Sequence, residues 1–142
     1  MIALHHVQVA CPPGGEDAAR TFYGAGLGLV EVEKPEPLRS RGGVWFRDVD
    51  STETGADPAL AELHVGVEDP FVPALKAHPA FLVGDVVALD LVVARLRGLG
   101  VVVDESQRTT FPGYERVHVS DPHGNRVELL GRPGVGQDPT LG

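Results

Sequence analysis

The feature that most constrains this chain is that its pattern starts over halfway along. Residues 4–67 and 78–130 each read as strand, helix, strand, strand, strand. From His6 to Gly28 is 22 residues (28 − 6), and from His78 to Gly100 is the same (100 − 78). His6 to Glu62 spans 56 residues (62 − 6), against 50 from His78 to Glu128 (128 − 78). The excess of six falls to the polar, turn-rich Asp48–Pro58 loop of the first half. Self-similarity at this scale sets the fold before any single element does. It predicts an α+β chain built from a duplicated βαβββ module.

In the first module, Leu4 to Ala10 alternates, with His6, Gln8 and Ala10 on one face and His5, Val7 and Val9 on the other. Pro12-Pro13-Gly14-Gly15 ends that strand. Glu16-Asp17 then place negative charge where a helix N-terminus favours it. Ala18, Ala19, Phe22 and Tyr23 give the helix its apolar side, and it stops within Gly24–Gly28. Leu29–Val32 and Gly43–Arg47 read as strands, separated by a Pro35–Arg41 loop. Ala61–Val67 alternates, with Glu62 and His64 opposite Leu63, Val65 and Val67.

The second module opens with a His78–Val83 strand. Asp85 is placed to cap a helix whose stripe is Leu89, Val92, Val93, Leu96 and Leu99. Val101–Val103 is a strand and 104–112 a loop. Glu115–Ser120 and Arg126–Leu130 then form a hairpin around Asp121-Pro122-His123-Gly124-Asn125. In that turn Pro122 presets φ, Asp121 bonds the backbone two residues on, and Gly124 takes a left-handed conformation. Val117, Val119, Val127 and Leu129 face one way; Arg116, His118, Arg126 and Glu128 face the other. Residues 69–77 read as a linker between module one (1–68) and module two (78–131), within one domain of residues 1–132. Residues 133–142 read as a loose tail.

Charge narrows the function. A net charge of −8 and a pI near 5.1 argue against nucleic acid and against anionic membrane surfaces. A single cysteine, Cys11, rules out an intramolecular disulfide framework and suits a cytoplasmic chain. No apolar run reaches membrane-spanning length. The apolar strand faces back onto the two amphipathic helices. The faces left over carry His6, Gln8, Trp45, Arg47, Glu62, His64, His78, Arg116, His118, Arg126 and Glu128. Ionisable groups are costly to bury unless paired or bound to metal, so such a surface is either solvated as a cleft or held by a ligand.

With His6-Val-Gln-Val, Phe22-Tyr23 followed by Leu27-Gly-Leu, His78-Pro-Ala-Phe-Leu-Val and Asp121-Pro-His-Gly-Asn-Arg-Val-Glu-Leu in view, the chain resembles the vicinal oxygen chelate superfamily. That superfamily includes glyoxalase I, fosfomycin-resistance enzymes, extradiol dioxygenases and bleomycin-binding proteins. The resemblance spans residues 3–131. It implies two βαβββ modules forming a curved mixed sheet around a cleft, with helices on the outer face. It implies metal ligands on the first and last strand of each module, at His6, Glu62, His78 and Glu128. His64, two residues after Glu62 on the same face, replaces Glu62 if the register differs by two. The expected cofactor is a divalent ion (Zn, Ni, Fe or Mn).

The implied function is a metal-dependent, glyoxalase-like lyase or isomerase that chelates a small molecule through vicinal oxygens. Glu62 or Glu128 would then carry the proton. Trp45, Arg47, Arg116 and His118 are the expected substrate contacts. A bleomycin-resistance-type binder without catalysis and an extradiol-type dioxygenase are the competing expectations. The family's habit implies a homodimer. His5 has the wrong parity for the site, His123 is expected at an exposed turn, Cys11 is not expected to be catalytic, and Tyr114 is expected at the surface.

Overall fold

A computed structural model describes residues 1–48 and 60–134. Apart from Asp48, the expected 48–58 loop lies outside the described residues, as does most of the 133–142 tail. The fold is α+β, with two four-stranded mixed sheets. The strands are β1 Val7–Cys11, β2 Val30–Val32, β3 Val44–Arg47 and β4 Glu62–Val67, then β5 Ala80–Asp85, β6 Val103–Asp104, β7 Glu115–Ser120 and β8 Arg126–Arg132. The sheet orders are β1-β4-β3-β2 and β5-β8-β7-β6, the same arrangement twice. In each, the first and last strands run parallel and the remaining pairs antiparallel.

The chain divides into two compact units, 1–75 with 121–125, and 76–120 with 126–142. In the first, the helix α1 Glu16–Ala19 runs directly into a π-helical segment, Arg20–Gly26, that buries Phe22 and Tyr23. Leu27 N–H reaches back five residues to the Phe22 carbonyl. Val9, Val44, Phe46, Leu63 and Val65 complete this core. The Pro35–Arg41 stretch is not all loop. It holds a one-turn helix, α2 Glu36–Arg39. Prolines are compatible with a first helical turn, where the N–H they lack has no partner in any case. At Gly43 φ is +86°, and an added Cβ would meet the Val65 carbonyl oxygen at 2.3 Å.

In the second unit, α3 Val86–Gly98 is capped as expected: the Asp85 carboxylate accepts from Ala88 N–H at 2.8 Å. Leu89, Val92, Val93 and Leu96 are buried with Val117, Val127 and Leu129. Leu99 is instead 45% exposed, because the helix has ended and it occupies the C-cap. The strand expected from His78 begins at Ala80, since Pro79 has no N–H to give the ladder. Its carbonyl accepts from Glu128 N–H at 3.0 Å. Likewise β6 begins at Val103 rather than Val101.

The Asp121–Asn125 turn joins β7 to β8 but belongs to the first unit. Gly124 has φ +91°, as a left-handed turn position requires. Asp121 Oδ1 accepts from the His123 and Asn125 backbone N–H groups, and Oδ2 accepts from the Tyr23 hydroxyl at 2.8 Å. Burial, with Asp121 beside it, pushes the Tyr23 phenol far above its ordinary range, so it stays a neutral donor. Asn125 donates to the Ala10 carbonyl at 2.7 Å and accepts from Ala74 N–H. His123 corrects the expectation of an exposed turn residue. It is half-buried, and its Nε2 lies 2.8 Å from the Gly15 carbonyl oxygen, which needs a donor. Cys11 is fully buried, and burial raises its thiol, so it fits a packing role. Among the described residues no helix is long and apolar enough to cross a membrane.

Candidate metal centre

Antiparallel pairing of β7 with β8 sets His118 directly opposite Glu128. Directly paired residues present their side chains on one face, within reach of each other. Both are buried, at 6% and 5% exposure, although they stand on the polar side of the hairpin. His78 arrives from the segment just before β5. Its Nε2 lies 3.6 Å from Glu128 Oε2, and His118 Nε2 lies 3.4 Å from Glu128 Oε1. The donor atoms of His78, His118 and Glu128 all fall within 4.8 Å of one another. Donors about 2.1 Å from one tetrahedral ion are spaced by roughly 3.4 Å, so the two short separations suit an ion between them.

The orientation of His78 supports the fit. Its Nδ1 is 2.8 Å from the Lys76 carbonyl oxygen, which needs a donor, so Nε2 is the nitrogen turned toward the carboxylate. An imidazole fixed by a backbone carbonyl is also how proteins commonly orient metal-binding histidines. His118 matches less fully, because its buried Nδ1 has no hydrogen-bond partner among the described residues. Burial, then the charge of Arg126, holds His118 below the ordinary imidazole range, so it is neutral and available as a ligand. Two imidazoles and a carboxylate suit Zn²⁺, Ni²⁺, Fe²⁺ or Mn²⁺.

Arg116 shapes the site from one side. Its guanidinium donates to Glu128 Oε1 at 2.7 Å, to Thr110 Oγ1 at 2.8 Å and to the Gln107 carbonyl at 3.3 Å. It also stacks over Phe111, 5.5 Å from the ring centre. The expected substrate contact is therefore bound to the carboxylate itself and to the 107–111 loop.

The first unit holds the other expected residues. His64, 4% exposed, is sandwiched between Trp45 at 3.7 Å and His6 at 4.0 Å, measured between ring centres. His64 Nε2 is 3.0 Å from Glu62 Oε1, and Arg47 donates to Glu62 Oε2 at 3.2 Å. His6 is exposed, with its Nδ1 2.9 Å from that of His5. Strand register corrects the matching of Glu62 with Glu128 by spacing. In the first sheet His64 pairs with Gln8, two residues after His6; in the second, Glu128 pairs with Ala80, two residues after His78. His64 is thus the counterpart of Glu128, and Glu62 of Arg126.

These environments predict an acid limb of stability with a definite sign. Burial holds His64 below the ordinary imidazole range despite its hydrogen bond to Glu62. Burial pushes Glu62 up, but hydrogen bonds from His64 and Arg47 outweigh it and leave the carboxyl below its usual range. Folded His64 and His118 therefore bind fewer protons than the unfolded chain just below about pH 6.5, and stability is lost as pH falls from there. Glu62 adds a further loss below about pH 4.3, as pH falls toward its depressed folded value. Denaturation midpoints measured from pH 7 to 4 should show both, and His64→Gln should flatten the upper segment. An unchanged slope in that variant would contradict the assignment.

Residues 3–129 match the family model of the Glyoxalase/Bleomycin resistance protein/Dioxygenase superfamily. The chain is similar to the crystal structure of a glyoxalase family protein from Bacillus anthracis, with 39% identity, a TM-score of 0.77 and coverage of 93% of this chain and 96% of that one. It shares its fold with the genomically encoded fosfomycin resistance protein FosX from Listeria monocytogenes, at 14% identity, TM-score 0.68 and 94% of each chain. The same holds for the oxidase ChaP-H2, at 21% identity, TM-score 0.65, and 94% and 95% coverage. No curated protein sequence matches the chain.

Proposed function

The chain belongs to the Glyoxalase/Bleomycin resistance protein/Dioxygenase superfamily, and from that premise we propose that it is a metal-dependent, glyoxalase-like enzyme of the lyase or isomerase type. Its substrate is a small molecule held through vicinal oxygens. The observation that carries this reading is the convergence of His78, His118 and Glu128 donor atoms, with His78 oriented by the Lys76 carbonyl so that Nε2 faces Glu128.

In this reading His78 and Glu128 hold a divalent ion, with His118 as a further donor from β7. The candidate ligands of the first unit are His6 and one of His64 or Glu62, of which the strand register favours His64. Such an ion supplies Lewis-acid stabilisation of a developing enolate or oxyanion. Arg116 fixes the Glu128 carboxylate by occupying Oε1, which leaves Oε2 facing His78. Glu128 or Glu62 moves the proton. Trp45 and Arg47 are the proposed substrate contacts of the first unit. A homodimer working in the cytoplasm completes the proposal.

Two other readings each have an observation in their favour. Arg116 neutralises Glu128 without any ion, which is what a metal-free sequestering binder would use. The His78, His118 and Glu128 set is also the two-histidine, one-carboxylate pattern of iron oxygenases. Metal content decides first. Protein prepared without a histidine tag and offered Ni²⁺, Zn²⁺, Fe²⁺ or Mn²⁺ should retain one ion per chain, and His78→Ala should lose it, with His6→Ala testing the first unit's candidates in the same way. Absence of stoichiometric metal in the wild type with all four ions sinks the enzyme reading and leaves the binder. Oxygen uptake with catechols on the iron-loaded protein would select the dioxygenase.

A further inference from the structure

A chain of net charge −8 is expected to favour cationic ligands, but the face that carries the candidate ligands is not acidic. On the polar face of the β7–β8 hairpin stand Arg116, His118, Arg126 and Glu128. Two guanidinium charges on this face meet two carboxylates, Glu128 and Asp104, and a bound divalent ion would leave the face net positive. Asp104, paired opposite His118, is exposed and turned to the Ser106 backbone N–H at 2.8 Å.

The two arginines are in different states. Arg116 is bound to Glu128, as Arg20, Arg39, Arg47, Arg97 and Arg108 are each bound to a carboxylate elsewhere. The Arg126 side chain has no hydrogen bond or ion pair with the described residues. Unlike the exposed Arg41 and Arg132, it is half-buried. Strand alternation puts it on the Glu128 face of β8, two residues away, and its register partner is the exposed Ser120, which brings no charge. Its charge is felt at His118, the buried imidazole whose Nδ1 lacks a partner. Among the described residues the carboxylate interaction of Arg126 is a through-space one with Asp104, which is itself bound to the Ser106 N–H, so this half-buried guanidinium is left to receive an anion.

We infer that Arg126 anchors an anionic group of the ligand, so that the site takes a small molecule carrying a carboxylate or phosphate next to its chelating oxygens. This rests on the metal-site reading above and names the substrate class of that site. The planar fork of a guanidinium matches two oxygens of such a group, which a point charge does not.

The test uses the zinc-loaded full-length chain and two chelators. Oxalate chelates through one pair of vicinal oxygens and leaves two anionic oxygens facing outward. Acetohydroxamate chelates through vicinal oxygens and offers no second anionic group. Affinities are read by calorimetry, with zinc content measured after each titration. Arg126→Gln should keep wild-type zinc stoichiometry, weaken oxalate at least ~10-fold and leave acetohydroxamate within ~2-fold, and Arg126→Lys should recover part of the oxalate loss. Equal oxalate affinity in zinc-loaded Arg126→Gln overturns the assignment while the metal reading stands. Parallel loss of both chelators also overturns it, because that is damage to the site rather than loss of anion recognition. A wild-type chain that takes up no zinc removes the metal reading and this inference with it.

Discussion

Replacing Glu128 with glutamine is expected to lower divalent-ion affinity by at least ~100-fold, beyond the ~10–100-fold typical of losing a residue that merely orients a ligand. The substitution preserves shape and removes charge. Glu128 is the group that both imidazoles of the cluster approach, at 3.6 and 3.4 Å. It is also the ion-pair partner of Arg116, so the variant leaves a guanidinium three-quarters removed from solvent without its carboxylate. Thr110 and the Gln107 carbonyl still receive it, which limits the cost to about 1–3 kcal/mol of stability. Elemental analysis of the dialysed, metal-loaded variant and a thermal melt read the two effects separately. A variant that melts near the wild type and still retains one ion per chain would remove Glu128 from the site.

The second large effect is expected at Asn125, 1% exposed. Its side chain donates to the Ala10 carbonyl and to Asp121 Oδ2, and accepts from Ala74 N–H. Asn125→Ala strands a carbonyl on β1 and an amide in the linker, each costing about 1–3 kcal/mol when left unpaired. The expected total is about 3–5 kcal/mol, or roughly 10 °C or more in melting temperature for a chain of this size. Ser120→Ala, at an exposed position of β7, serves as the control and should lie within about 0.5 kcal/mol of the wild type. If Asn125→Ala costs no more than that control, the turn is not part of the first unit's framework. The sequence read this segment as a local hairpin turn. Its role in another unit's hydrogen bonding was not visible, because the partners lie 51 and 115 residues away.

The hairpin shows how far local reading extends. A five-residue turn from Asp121 to Asn125 closes the ladder so that residues summing to 246 face each other, as Ser120 faces Arg126. His118 opposite Glu128 was therefore recoverable by counting, and His118 belonged among the candidate ligands as well as the substrate contacts. The Glu62 and His64 alternative could not be settled that way. A connection from Asp48 to Ala61 leaves the β3–β4 register free, and β1 meets β4 only by parallel pairing over more than 50 positions.

What the sequence determined by itself was the duplication, the strand parities, the Asp85 cap and the identity of the polar faces. Each depends on residues within a few positions of one another or on spacing between two copies. Only the tertiary structure decided that His64 occupies the place of Glu128, that Arg116 is committed to that carboxylate while Arg126 is not, and that His123 is tucked against Gly15. These depend on register and on contacts distant in sequence, where a shift of two residues keeps every side chain on its expected face and changes which neighbour it meets.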